Sequence, residues 1–281
     1  MVTLARDNVR ELSRTVKSVV VQTKRPSEHL VVDSSRPEQA QRIRDISRQY
    51  GLSYHWVEPR GIFPAMEMSM GMVDPNSYVW WLNSTDRLVG RESFSIALRE
   101  LQDAQGEGGP AWLVGQLVRQ HNKRVGLHRL GFSAEAFDRL FSRGLNGFPH
   151  PSSIFQAGLL NELRPYRGGL RVAEDYRLAM QMYAAWGVPR ISQSPFAVFS
   201  SRGGNSSQDL LTGVFDRVKS RFELLEGWNV SKEARSLAVT LPREVIDRVI
   251  GRQGPKPPLR QWLNESPGQV HLCESDKLEG W

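Results

Sequence analysis

The chain has 281 residues, with 37 Lys and Arg against 30 Asp and Glu, a formal charge of +7. Apolar residues make up 40% and charged residues 24%, the proportions of an ordinary globular protein, which excludes wholesale disorder. No apolar run approaches the roughly 18–20 residues that span a bilayer, no leader pattern follows Met1, and the single cysteine, Cys273, excludes a disulfide framework and a cysteine-based zinc site, so a reducing, cytoplasmic location is expected.

Val2-Thr3-Leu4 reads as a short buried strand. Asn8 followed by Glu11 is a capping-box pattern, and Leu12, Val16, Val19 and Val20 then share one helical face with Arg10, Arg14 and Lys17 outside it. Pro26 ends that pattern, and His29 to Asp33 is the second strand. Ser35 to Glu38 is a second capping pattern, opening a helix with Ile43, Ile46, Ser47 and Tyr50 on one side and Gly51 as its stop. Tyr54 to Val57 is strand three, and a helix carrying Met66, Met70 and Val73 leads to strand four at Tyr78 to Leu82. The methionines Met66, Met68, Met70 and Met72 are expected to fill core around that helix and the loop after it. Strands and helices that alternate in this way predict a parallel sheet covered on both faces, with ligands bound beyond the carboxyl ends of its strands. Asp33 and Asn83-Ser84-Thr85-Asp86 fall at such ends.

The second half predicts a strand over Trp112 to Val118, helices over Ser133 to Arg143 and Ile154 to Leu163, and a helix from Glu174 to Trp186. In that last helix Leu178, Met182 and Ala185 face inward and Gly187 closes it. A short strand over Pro195 to Ser200 feeds the turn Arg202-Gly203-Gly204-Asn205. Leu211, Val214, Val218, Phe222 and Leu225 form an apolar stripe that predicts a helix over 208–226, and a polar tail follows Gly251. The basic charge, with a pI near 9.8, is scattered rather than gathered on a recognisable nucleic-acid-binding motif, so no nucleic-acid partner is expected, and a nucleic-acid-binding protein stays as a rival reading that rests on the pI alone.

Several stretches, in order, resemble family-two glycosyltransferases with the GT-A fold that build bacterial surface glycans. They are Val2 to Asn8, Thr15 to Thr23, His29 to Asp33, Glu58-Pro59-Arg60-Gly61-Ile62-Phe63-Pro64-Ala65-Met66, Tyr78 to Asp86, Leu170 to Leu178, and Phe196 to Phe199 with Gly203 to Ser207. The resemblance covers residues 1–207. It implies a Rossmann-like, mostly parallel α/β sheet with helices on both faces, divided into a nucleotide-sugar half at about 1–110 and an acceptor half at about 111–207. A helical extension at 208–250 and a Pro/Gly-containing tail at 251–281 complete the expected organisation.

The function implied is inverting transfer of a sugar, most simply from a UDP-linked donor, to a glycan or polyprenyl-linked acceptor, with a divalent Mn²⁺ or Mg²⁺ ion. On the resemblance, Thr3, Ala5, Asp33, Arg60, Ser84, Thr85 and Arg202 contact the donor, Asp86 binds the metal, His150 contacts the acceptor, and Asp175 with its neighbour Glu174 supplies the catalytic base. Thr85 stands where the family has the first acid of its metal motif, leaving Asp86 as the one carboxylate there. That departure leaves a second reading open, a relative that binds nucleotide or glycan without turning it over. Plainer roles also stay open: Asp33 as a helix-entry turn residue, Asp86 as a strand-end cap, Glu174 and Asp175 as helix N-terminal acids, His150 as a solvent-facing loop residue, and Arg60 and Arg202 as surface cations. The basic, amphipathic carboxyl end, with Arg217, Lys219 and Arg221, is expected to dock on its own domain or rest on an anionic membrane surface.

Overall fold

In a computed structural model of the chain, residues 1–103, 109–121, 124–128, 149–163, 166, 169–170, 172–200, 216 and 220 are described. The helix predicted over 133–143, the glycine turn with Arg202, most of the stripe over 208–226 and the tail lie outside those residues.

The chain begins β1 (Val2–Ala5), α1 (Val9–Val20), β2 (Leu30–Asp33), α2 (Pro37–Gln49), β3 (Ser53–Trp56), α3 (Ile62–Met70) and β4 (Tyr78–Trp80). β1 and β2 pair in parallel, Val2 with Leu30 through Ala5 with Asp33, and β2 pairs with β3 so that Asp33 sits level with Trp56. Beyond β4, Trp81 bridges Val2 in the parallel sense, and the N–H groups of Leu82 and Ser84 donate to the carbonyls of Val2 and Leu4 at 2.9 and 3.0 Å. The strand order is therefore β3-β2-β1-β4, and the carboxyl ends of the strands meet at Ala5, Asp33, Trp56 and Asn83. Among the described residues β3 is the outer strand, with His55 and Trp56 exposed.

β4 also opens a second, mixed sheet made with β5 (Arg87–Leu88), β6 (Trp112–His121), β7 (Arg124–His128), β8 (Ser153–Gln156) and β9 (Arg190–Ser200), in the order β4-β8-β6-β9-β5 with β7 on β6. Helices α4 (Ser93–Asp103), α5 (Ala157–Leu163) and α6 (Glu174–Trp186) complete it. Side-chain alternation explains the strands. Val79, Trp81, Trp112, Val114 and Phe155 enter one core, against residues of α3, α5 and α6, while Trp80, Leu82, Leu113, Leu117 and Ile154 enter the other, against Val19 and α4. Period-two burial into two cores is what a sheet with helices on both faces requires.

The same alternation corrects one predicted helix. Ile154 and Phe155 open a strand paired with β4 and β6, because they send bulky side chains to opposite cores, and the helix starts only at Ala157. Neither capping box forms. The Asn8 side chain is drawn away to Ser84, and α2 begins after Arg36 with Pro37 at its first turn and no side-chain cap. α6 has the predicted bounds and ends at Gly187, whose φ of 71° suits glycine, but Ala185 is exposed; Leu178 and Met182 are buried. Met66 and Met70 are buried as expected, whereas Met68 is 48% exposed. β9 runs from Arg190, five residues before its predicted start, pairing in parallel with β6 across a register shift at Gly115-Gln116. A Cβ on Gly115 would lie 2.3 Å from the Phe196 ring, so the residue must lack one.

Candidate active site

Three loops leave the carboxyl ends of β1, β2 and β4, and hydrogen bonds tie them together. The Asp7 N–H donates to Ser35 Oγ at 2.6 Å, and the Arg36 N–H donates to Asp7 Oδ1 at 3.0 Å. Arg36 Nε closes an ion pair to Asp7 Oδ2 at 3.2 Å, and Asn8 Nδ2 donates to the hydroxyl of the buried Ser84. Asp7 holds a φ of 54°, a left-handed conformation that aspartate tolerates in such turns. The rim of the site is thus assembled by its own polar side chains.

Asp33 is fully buried at the end of β2, where its carboxylate accepts the Ser35 N–H and the Tyr54 hydroxyl, each at 2.9 Å. Burial, with the hydrogen bond to Asp33, pushes the Tyr54 phenol up to about 12. The turn role foreseen for Asp33 is therefore real, and lone pairs remain for a further donor. Tyr54 was not singled out from the sequence, where it only opens the third expected strand.

Asp86 is strongly perturbed by burial. It is 1% exposed, it follows the end of β4, and Thr15 Oγ1 holds its carbonyl at 2.6 Å. Burial pushes its carboxyl up to about 8, against the opposing pull of the Ser200 N–H and the Arg87 guanidinium. Its Oδ1 has no hydrogen-bond partner among the described residues, and neither has the buried Oδ1 of Asn83. Both are hard oxygens of the kind that a divalent cation takes. Among the described residues no group of three His, Cys, Asp or Glu could hold a metal, so the remaining ligands would be diphosphate oxygens and water. Thr85, between them, is partly exposed.

The two acids that open α6 differ. Glu174 is 1% exposed and its Oε1 accepts the Leu170 N–H at 2.8 Å, which makes it a brace for the loop before the helix. Asp175 is partly exposed at the helix N-terminus, where the aligned backbone dipoles favour its charged form, and its Oδ1 accepts the Tyr176 N–H at 2.8 Å. The two acids thus differ in burial and in partner, Glu174 inside against the Leu170 N–H and Asp175 nearer the surface.

His150 is not a solvent-facing loop residue: the chain makes a single helical turn there, and the ring is 5% exposed, stacked 5.6 Å from Trp81. Its Nε2 shares a 3.0 Å hydrogen bond with the Tyr166 hydroxyl, and burial pushes its pKa down to about 4, so the ring is neutral near pH 7. Tyr166 meets Trp81 edge-on at 5.7 Å and stacks on Phe63 at 5.9 Å. Burial raises its phenol pKa well above the usual value, and the charges of Asp175 and Glu174 raise it further. Tyr166 therefore packs on Trp81, two residues before Asn83, and lies near enough to Asp175 and Glu174 to feel both charges. The sequence reading missed it because it lies between motifs.

The remaining expected contacts divide. Ala5 ends β1 at the rim, its carbonyl accepting the Ser34 N–H. Thr3 does not reach the rim; it is fully buried within β1 and its hydroxyl bonds His29 Nε2 at 2.9 Å, so it serves the core. Arg60 is exposed and paired with Glu58 at 2.5 Å. Arg202 lies outside the described residues. No helix among the described residues is long and apolar enough to cross a membrane.

No family model matches the chain, and no curated protein matches it. Solved structures do. S. aureus TarS 1-349 in complex with UDP-GlcNAc is 15% identical over 85% of this chain and 70% of that one, with a TM-score of 0.62. A longer S. aureus TarS gives 0.60 at 15% identity over 86% of this chain, which spans only 42% of the TarS chain. The mannosyltransferase PcManGT from Pyrobaculum calidifontis, in complex with GDP-Man and Mn²⁺, gives 0.50 at 16% identity over 94% and 82%. The α/β architecture of this chain is the GT-A fold of glycosyltransferases.

Proposed function

We propose that the chain is an inverting glycosyltransferase that moves a sugar from a nucleotide-diphosphate donor, most simply a UDP-sugar, to a hydroxyl of a glycan or polyprenyl-linked acceptor. The observation that carries this reading is the arrangement of three acids on a GT-A sheet. Asp33 and Asp86 sit at the carboxyl ends of β2 and β4, and Asp175 is within electrostatic reach of Tyr166, which packs on Trp81 next to the β4 end. The neighbouring structures hold UDP-GlcNAc, UDP, and GDP-Man with Mn²⁺, which supports a nucleotide-sugar donor here.

In this reading the rim loops after β1 and β2 bind the nucleoside, with Asp33 accepting from a base or ribose donor beside Tyr54. Asp86 and Asn83 would hold the divalent ion, which supplies positive charge against the departing diphosphate. Asp175 takes the proton from the acceptor hydroxyl as that oxygen attacks the anomeric carbon, and its place at a helix N-terminus keeps it ionised for the task. Glu174 holds the preceding loop. His150 and Tyr166 form a neutral, buried wall that keeps water from the acceptor side. Peripheral contact with an anionic membrane, through the basic carboxyl end, fits a lipid-linked acceptor.

Calorimetric titration of UDP, GDP and their sugars with and without Mn²⁺ tests the reading. Metal-linked binding of one nucleotide class, lost in Asp86→Asn, is the expected result; equal metal-linked affinity in both proteins refutes the cation site. Thr85 favours a second reading, binding without turnover. Restoring the acid with Thr85→Asp separates the two, since donor hydrolysis rises only in a weakened enzyme.

A further inference from the structure

The residue at the N-cap of α6 makes no side-chain cap hydrogen bond. It is Ala173, which has no polar side chain; within the first turn Asp175 accepts the Tyr176 N–H, while Glu174 is turned back to the Leu170 N–H. Asp216, more than 40 residues downstream, reaches this place. Its Oδ2 accepts the N–H of Val172 at 2.9 Å and the N–H of Ala173 at 3.3 Å. The residue is 9% exposed, and the fully buried Ser220 donates its hydroxyl to the Asp216 carbonyl at 2.8 Å, one helical turn away. The loop before Asp175 is thus gripped from two sides: Glu174 holds Leu170 from within, and Asp216 holds Val172 and Ala173 from the carboxyl-terminal extension.

We propose that Asp216 is the positioning residue for Asp175 and so belongs to the catalytic apparatus. This rests on the reading of Asp175 as the base. A carboxylate that accepts two backbone N–H groups makes charge-assisted bonds, roughly twice as strong as neutral ones. The bonds lie two and three residues before Asp175, at the point where the chain enters its helix, so they set the position of the first turn. Misplacing a catalytic group by about 1 Å costs on the order of 10²-fold in rate. Asp216 touches neither donor nor acceptor in this scheme, so its loss acts on the chemical step and leaves nucleotide binding alone.

The experiment compares wild type, Asp216→Ala, Asp216→Asn and Asp216→Glu in the full chain. Two readouts are taken: steady-state UDP release from UDP-GlcNAc or GDP release from GDP-mannose, and amide hydrogen exchange of the peptide covering 169–176. Asp216→Ala is expected to lower kcat by about 10–100-fold with donor KM within about twofold, and to speed exchange at Val172 and Ala173 at least about tenfold. Asparagine keeps an acceptor oxygen of the same reach and is expected to recover most of kcat. Glutamate keeps the charge but carries it one methylene too far, so it gives the alanine pattern in a protein that folds even if alanine does not. Unchanged exchange in both Asp216→Ala and Asp216→Glu overturns the contact. Faster exchange with kcat unchanged overturns the positioning role. A wild-type protein that neither binds nor cleaves any nucleotide sugar sinks the functional reading, and with it the catalytic half of the inference, while the exchange result still decides the contact.

Discussion

Replacing Asp86 by asparagine removes a single ionisation from the core while keeping the shape of the side chain. In the native protein the Asp86 carboxyl titrates at about 8 because burial disfavours its charge, whereas its ordinary value is 3.8. Between those values the folded state holds a proton that the unfolded state has released. The folded state is therefore weakened as pH rises, by about 1.4 kcal/mol per pH unit. At pH 5.5 the cost is roughly 2 kcal/mol and at pH 7.5 about 5 kcal/mol, a difference of about 3 kcal/mol. His29 and His150 titrate the other way: burial lowers them to about 3 and about 4, below their usual 6.5, so the stability they allow is lost as pH falls. Both proteins share those groups, so they cancel in the difference. Urea unfolding followed by tryptophan fluorescence, without divalent ions, at pH 5.5, 6.5 and 7.5 reads that difference. The Asp86→Asn protein is expected to gain on wild type by about 3 kcal/mol from the lowest pH to the highest. Parallel pH profiles would refute a buried, protonated Asp86.

Because a cation must displace that proton, divalent affinity in the presence of UDP is expected to rise about tenfold per pH unit up to about pH 8 and then level off; a flat profile by calorimetry contradicts it. Asp175→Asn is expected to slow transfer by about 10²–10⁴-fold with donor affinity unchanged. Glu174→Ala is expected instead to lower unfolding stability by about 1–3 kcal/mol, since it strands the buried Leu170 N–H, and the reverse pattern would exchange their roles. Tyr54→Phe is expected to weaken UDP binding and to cost about 1 kcal/mol of stability, read by calorimetry and urea unfolding, because Asp33 loses a hydroxyl donor. Gly115→Ala drives a methyl into the Phe196 ring and is expected to destabilise by about 1–3 kcal/mol in thermal unfolding.

The first half of the chain was legible because its signals are local. Apolar strands of four or five residues, amphipathic helices between them and acids at strand ends all repeat within 30 residues, and β1 to β4 lie where the pattern put them. Helix entry was less legible. Asn8 and Ser35 matched capping patterns, but both side chains are used across the rim, Asn8 on Ser84 and Ser35 on Asp7, partners 76 and 28 residues away. Ile154-Phe155 was read as helix because two adjacent apolar residues suit either period, and only the presence of a core on each side of the sheet decides for a strand. At the site, Asp33, Asp86 and Asp175 were visible as acids in motifs. Tyr54, Tyr166 and Asp216 were not, since each acts through a partner distant in sequence, and Glu174 could be told from its neighbour only by its burial.

The outer strand β3 has a consequence for the protein in solution. A sheet edge offers unpaired N–H and C=O groups to any passing strand; among the described residues β3 is such an edge, and it carries an exposed Trp56 as well. Several features blunt the hazard. The strand is only four residues long, and the Trp56 indole is held to the Ser35 carbonyl at 3.0 Å. Val57 then turns inward, and Glu58, Pro59 and Arg60 follow at once, supplying charge and a residue with no N–H to offer. Lengthening the edge by replacing Pro59 and the flanking charges with β-branched residues would turn this sheet into a template for chain-to-chain pairing, so the segment after β3 works against self-association.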